Sequence, residues 1–538
     1  MHRRTFLKRG AAGLVTAILA QVEVETEFDV VIGGGRVLDG TGAPSFRADV
    51  GIRGDKIVAL ANGIARSRAR KWVDASGLAI APGFIDIHTH SDSSIEQNPC
   101  AESRVLQGCT TEITGNCGGS AAPGAEATDG VAAYFGRLRA SGLSVNQALL
   151  IGHGTLRELA GAHSNRRVTS DEQLRMEQLL DVALDDGAIG LSTGLEYAPG
   201  RFADSAEIEA LARVVARRGG LYASHLRNEV LELLAAVTEA LDVGRRTGVR
   251  VQVSHLKTAG KPSWPLQDPA LKLIEDARRA GTDVLADAYP YTAYHTSLSI
   301  YFPADVLEDG TAAMLRRLGD ATVRARLLKE LPGAIANDPG GFDRMVLSSI
   351  GGNEHQAFVG RDLAAISKEL NVEPGEALLR LVESGGGRAS YIGHAMSEEN
   401  VARVLAHPLV MIASDGSSLA MMQADDAGTS RPHPRSFGTF ARVLGRYCRT
   451  ERLFSLETAI RKMTSMPADQ AGFADRGRVA RGKKADLVVF NADTIADTAT
   501  FEAPRGAPVG ISQVFVNGVA VVDNGRHTGA RPGRVLTP

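Results

Sequence analysis

Histidine, cysteine and aspartate stand at the ends of several short apolar runs in this sequence. His88-Thr89-His90 closes a run that begins at Phe84, and Asn116-Cys117-Gly118 closes one that begins at Thr110. Ser224-His225-Leu226-Arg227, Ser254-His255-Leu256-Lys257 and Ser414-Asp415-Gly416 close three more. Imidazole nitrogens and a thiolate are borderline-to-soft donors, which favours zinc over magnesium or calcium. His88 and His90, two apart on a strand, project to one face. His225 and His255, from neighbouring strands, complete a nitrogen donor set, and Cys117 offers a thiolate. Asp415 can ligate or take a proton. A zinc ion brings the pKa of bound water to about 7, and a carboxylate beside it can move the proton to a leaving group. The chemistry these residues suit is metal-assisted hydrolysis. A single core histidine is ordinarily a hydrogen-bonded structural residue, but that does not account for four histidines, a cysteine and an aspartate at five run ends. His153, in Gly152-His153-Gly154, ends another run and is placed to hydrogen-bond a substrate.

Elements that bring these ends together are legible in the hydrophobic pattern. Eight segments read as buried parallel strands: 84–90, 110–118, 147–154, 188–197, 221–227, 251–257, 284–289 and 409–416. Amphipathic stretches at 206–218, 230–247 and 269–280 lie between them. Alternation of this kind implies an α/β fold, a (β/α)8 TIM-type barrel, with its chemistry at the C-terminal strand ends. Residues 27–82 and 471–538 are strand-rich flanks whose shared texture implies one small β-sandwich built from both chain ends. The barrel then occupies 83–470, with an insertion near 300–400 that includes the apolar run 345–350. The glycines at 33–35 follow a strand, but no helix opens there, so they do not form a dinucleotide site.

Pro82-Gly83-Phe84-Ile85-Asp86-Ile87-His88-Thr89-His90, with the flanking strands, resembles the amidohydrolase superfamily. Gly115-Asn116-Cys117-Gly118, Gly190-Leu191-Ser192-Thr193-Gly194-Leu195-Glu196-Tyr197, Ser224-His225-Leu226-Arg227-Asn228-Glu229, Ser254-His255-Leu256-Lys257 and His433-Pro434-Arg435 resemble its N-acyl-D-amino-acid deacylases, the D-aminoacylases. The resemblance covers nearly all of the chain beyond residue 20. It implies zinc held tightly by Cys117, His225 and His255, a second and weaker position at His88 and His90, and Asp415 as catalytic base. It also implies that Lys257, Arg435 and Tyr197 hold a small substrate, an N-acyl-D-amino acid. The carboxylated lysine that bridges two metals in hydantoinases and dihydroorotases is missing: the fourth strand ends Thr193-Gly194-Leu195-Glu196-Tyr197. Another amidohydrolase that cuts a cyclic amide or a dipeptide is the alternative among enzymes. A non-catalytic, amidohydrolase-like assembly protein is the alternative from another class, and an intact ligand set argues against it.

The chain has 538 residues, with 60 Lys and Arg against 62 Asp and Glu. This balance gives no electrostatic footprint for nucleic acid. Four cysteines in such a length do not make a disulfide framework. No later stretch reads as a membrane span. Met1 to Ala20, however, holds Arg3, Arg4, Lys8 and Arg9, no acid, and a short apolar run from Ala11. This is the layout of an export signal, and the paired arginines before Thr5-Phe6-Leu7-Lys8 resemble a twin-arginine leader. The reading implies a periplasmic or exported protein; an uncleaved basic leader on a cytoplasmic protein is the alternative. Replacing Arg3-Arg4 by Lys-Lys is expected to retain the protein in the cytoplasm of a bacterium with a twin-arginine pathway. Fractionation reads the outcome, and an unchanged distribution would remove the export reading.

Overall fold

The structure is a computed structural model, which describes residues 26–124, 130–421 and 430–538. The leader expected at 1–20 lies outside the described residues. Eight parallel strands form the central sheet: β1 (Phe84–Asp86), β2 (Cys109–Thr114), β3 (Asn146–Gly152), β4 (Gly190–Gly194), β5 (Leu221–His225), β6 (Arg250–Val253), β7 (Val284–Ala288) and β8 (Val410–Ile412). They pair in sequence order from β1 to β8. Backbone contacts just beyond the strand ends close the ring: Asp415 N–H donates to His88 O at 2.9 Å, and His90 N–H donates to Gly416 O at 2.8 Å. The fold is thus a (β/α)8 barrel. Its crossover helices include Ser205–Arg217, Leu233–Thr247 and Gln267–Arg279, each with an apolar face buried on the sheet.

The strands are shorter at their C-terminal ends than the hydrophobic runs suggest. β1 stops at Asp86, β2 at Thr114, β6 at Val253 and β8 at Ile412, each before its site residue. Cys117, His255 and Asp415 have φ of 54°, 34° and 51°, in the left-handed region that non-glycine residues seldom adopt. The chain therefore turns out of the sheet where the functional side chains begin. Strand periodicity does not set the directions of His88 and His90, or of His255 and Lys257; bends past the strands do.

Both chain ends contribute to a second layer. Leu487–Phe490 pairs antiparallel with Ala79–Pro82, inside a seven-stranded sheet. A four-stranded sheet with Phe28–Gly33 and Asp49–Arg53 at its centre packs on it. Their shared core mixes Val30, Ile32 and Ile52 with Leu487, Val489 and Phe515. Between β7 and β8 the chain builds a three-stranded antiparallel sheet, Tyr294–Ser297, Ser390–Gly393 and Met345–Ser349, with helices around it. At the barrel end opposite the site, the C-terminal tail bridges to the start of β3, and Leu536 joins the inner core beside Ile113 and Ala148.

A buried ionic cluster holds the β1–β8 seam. Asp86 lies 2.8 Å from Arg104 and accepts from Ser414 N–H at 2.9 Å, one residue before Asp415. Glu112 of β2 lies 3.4 Å from Arg104 and accepts hydroxyl bonds from Ser91 and Ser418. Asp86, Arg104 and Glu112 are all wholly buried. Removing the one cation leaves two buried carboxylates uncompensated, so Arg104→Met is expected to cost about 3–5 kcal/mol of stability. Chemical denaturation measures this; a loss below about 1 kcal/mol would show that the cluster does not hold the seam.

Candidate active site and metal centre

Three histidines and a cysteine converge above the barrel. Cys117 Sγ lies 3.3 Å from His88 Nε2 and 3.4 Å from His255 Nε2. His255 Nε2 in turn lies 2.8 Å from His225 Nδ1. Donor atoms of Cys117, His225 and His255 all fall within 4.8 Å of one another, as do those of His88, His90, Cys117 and Asp415. Cys117 belongs to both groups. Asp415 Oδ1 lies 2.9 Å from His90 Nε2 and 3.5 Å from His88 Nε2.

Carboxylates behind the imidazoles fix which nitrogen faces the centre. His88 Nδ1 lies 3.2 Å from Asp287 Oδ1. Asp287 also accepts from His255 N–H at 2.9 Å and from the Gln252 amide at 2.5 Å. His255 Nδ1 lies 3.1 Å from Glu229, which binds Lys257 Nζ at 2.5 Å. His225 Nε2 lies 3.1 Å from Glu196. Such partners orient a metal-binding ring and raise its basicity. Asp287 and Glu229 are the functional residues that the sequence reading passed over. The signal for Asp287 was present: one acid within the apolar run Val284-Leu285-Ala286-Asp287-Ala288, where a buried charge requires a partner.

The electrostatics suit a cation. Burial pushes the Cys117 thiol up, but His88 and His255 outweigh it and hold the group well below the usual thiol range. Burial likewise pushes Asp415 up, and Arg435, His88 and His90 pull it well below the usual carboxylate range. On the imidazoles burial disfavours charge, yet the surrounding anions raise His225 to about 10 and His90 to about 9. A thiolate and a carboxylate at this point attract positive charge, as protons or as a metal ion. The soft and borderline donor set, with its oriented rings, fits zinc.

The remaining residues named from sequence are distributed around this centre. Lys257 Nζ lies 2.9 Å from His255 Nδ1 and is committed to Glu229. Arg435 is buried, with Nη1 2.7 Å from Asp415 Oδ2 and its guanidinium over the Tyr289 ring at 5.0 Å. Tyr197 packs against His225, with ring centroids 4.6 Å apart, and its hydroxyl lies 3.1 Å from Thr296 Oγ1. His153 is not brought to the centre. Its ring is wholly buried, 2.7 Å from Glu207, which also binds Arg157, and no cavity at the centre is lined by it. Position at a strand end does not distinguish a ring aimed at the mouth from one aimed at a helix. Two cavities flank the centre. One of ≈ 330 Å³ is bordered by Lys257, Tyr197 and His225; one of ≈ 700 Å³ is bordered by His90, Cys117 and Arg435. His295 lines both, kept neutral to about 3 by burial and by Arg435.

Comparison with known proteins agrees with this geometry. Residues 71–522 match the amidohydrolase family. The chain is 39% identical to an N-acyl-D-glutamate deacylase of Alcaligenes xylosoxydans xylosoxydans, over 95% of this chain and 97% of that one. It is 37% identical to a D-aminoacylase of the same organism, with the same shares covered. The crystal structure of N-acyl-D-glutamate deacylase from Bordetella bronchiseptica, complexed with zinc and a phosphonate mimic of the tetrahedral intermediate, superposes with a TM-score of 0.81. That protein is 38% identical, and the match covers 95% of this chain and 100% of that one. The chain belongs to the D-aminoacylase family of the amidohydrolases.

Proposed function

We propose that this protein hydrolyses the amide bond of N-acyl-D-amino acids, releasing a carboxylate and a free D-amino acid, with zinc as its metal. The observation that carries the reading is the Cys117 thiol shared between two donor groups, facing Asp415 across the same centre. Full-length similarity to deacylases of D-amino acids supports the substrate class.

Cys117, His225 and His255 would hold the tighter zinc, and His88 and His90 would suit a weaker second position. When bound, zinc supplies a Lewis acid and makes hydroxide available near neutral pH. Asp415 is ionised at neutral pH, because Arg435 and the histidines outweigh its burial. It can therefore take the proton of the attacking water on Oδ1 and return it to the departing nitrogen. His88 and His90 lie 3.5 Å and 2.9 Å from that oxygen and aim it at the centre. Arg435 holds Oδ2 and borders the larger cavity, so its planar fork can serve both Asp415 and the α-carboxylate of a substrate. Lys257 provides a second cation on the other side of His255. Arg435 and Lys257, with a metal held by Cys117, His225 and His255, would contact the substrate at three points, which is the minimum for choosing one enantiomer.

Amine release from matched N-acetyl-D- and N-acetyl-L-amino acids tests the reading. The D series is expected to be hydrolysed and the L series not; activity confined to the L series would remove the stereochemical assignment. Asp415→Asn keeps the shape but loses the base, so kcat is expected to fall by about 10²-fold or more with fold and zinc retained. Near-normal kcat in that variant would take the proton-transfer role away from Asp415.

A further inference from the structure

The ≈ 330 Å³ cavity beside His225 and His255 has a far wall that the proposed reaction does not use. The helix Ala321–Asn337 ends there, and Ala334, Asn337 and Asp338 line the space. A helix C-terminus carries partial negative charge from its last carbonyls. Asp338 follows it directly. Its Oδ2 accepts from the Tyr294 hydroxyl at 2.8 Å, whereas its buried Oδ1 has no hydrogen-bond partner among the described residues. Tyr294 is itself fixed by the hydroxyls of Tyr391 at 2.9 Å and Tyr301 at 3.3 Å. The carboxylate is thus held on one oxygen, with the other unpaired. Burial pushes it up to about 7, against the lowering effect of the Tyr294 hydroxyl.

The charge balance of this cavity is acidic. Among the described residues its one Lys or Arg is Lys257, bound 2.5 Å from Glu229. Glu196 faces His225, Asp415 faces Arg435, and Glu232 stands at the exposed mouth. Lys257 is already assigned above to the α-carbon end of the substrate, so the described lining holds no further Lys or Arg to receive an acidic side chain. Val230, Leu231 and Ile300 give the same lining aliphatic surface. A cavity with aliphatic surface, a carboxylate that keeps one oxygen unpaired and a helix C-terminus in its lining matches an aliphatic stem with a cationic tip.

Resting on the deacylase reading, we propose that Asp338 is a specificity-determining residue and that the preferred substrates are N-acyl-D-amino acids with long cationic side chains, lysine or arginine. A simple acyl group carries no proton donor, so the arm that satisfies Asp338 Oδ1 is the side chain of the amino acid. Acidic substrates, the class named for one of the relatives above, meet repulsion here from Asp338 and from the helix end.

The test is kcat/KM of the zinc-loaded enzyme for Nα-acetyl-D-lysine, Nα-acetyl-D-arginine, N-acetyl-D-norleucine and N-acetyl-D-glutamate. Norleucine matches the lysine stem without the charge. The cationic substrates are expected to exceed norleucine by about tenfold or more, and glutamate to fall below it. Asp338→Asn retains an acceptor for Tyr294 and is expected to bring the lysine-to-norleucine ratio close to one. Preference for glutamate or norleucine over lysine would overturn the proposal and leave the deacylase reading standing. Equal loss on lysine and norleucine in Asp338→Asn would also overturn it, by showing a structural role. Absence of hydrolysis of every member would overturn the deacylase reading. Calorimetry of the same four compounds then still decides the pocket's preference: tighter binding of the lysine compound supports a cation subsite, and tighter binding of the glutamate or norleucine compound overturns it.

Discussion

A half-buried thiol set against two imidazoles is the constraint around which this molecule is organised. Cys117 sits 3.3 Å from His88 and 3.4 Å from His255, and as a thiolate it is a half-buried anion that draws positive charge beside it. The histidines cannot turn away, because Asp287 and Glu229 hold their far nitrogens. Each carboxylate has its own partner: Gln252 and the His255 backbone for Asp287, and Lys257 for Glu229. Anions and donors thus alternate outward from the sulfur. The alternation stores an attraction for a cation at the centre, and zinc is the cation whose preferences match the donors.

The residues that close the barrel are also those that build the site. The seam between β1 and β8 is made by backbone bonds of His88, His90, Asp415 and Gly416. Asp86, two residues before His88, accepts from the backbone one residue before Asp415 and is neutralised by Arg104. Misalignment of the seam would therefore separate the Asp415 carboxylate from His88 and His90. Left-handed backbone at Cys117, His255 and Asp415 is stabilised by this surrounding network, which is how strained conformations persist at functional sites.

Much of this was legible in the sequence, for physical reasons. Parallel strands buried on both faces read as apolar runs, so all eight barrel strands could be placed, and polar residues at their ends marked the mouth. Strand ends were overrun although Gly115-Asn116-Cys117-Gly118 and Asp415-Gly416 carry turn signals, because the polar residues there also read as strand tips; at His255 no such signal exists, and the backbone shows positive φ at all three. His153 was grouped with the site because sequence position gives no side-chain direction, and the structure turns it to Glu207. Asp287 and Glu229 were passed over because they act through another residue's ring. Arg435 was read as a substrate cation alone, while its pairing with Asp415 joins segments brought together only by the closed barrel. Asp338 lies in the insertion after β7, where no periodic pattern marks which residues return to the mouth.

Zinc content per chain in purified Cys117→Ala, measured beside its deacylase activity and that of the wild-type protein, tests the central claim most directly. The account predicts that metal and activity are lost together, because the sulfur belongs to both donor groups and its charge holds the imidazoles in place. Full zinc occupancy with normal hydrolysis in the alanine variant would contradict it, and would leave Cys117 as a small residue filling space between the histidines.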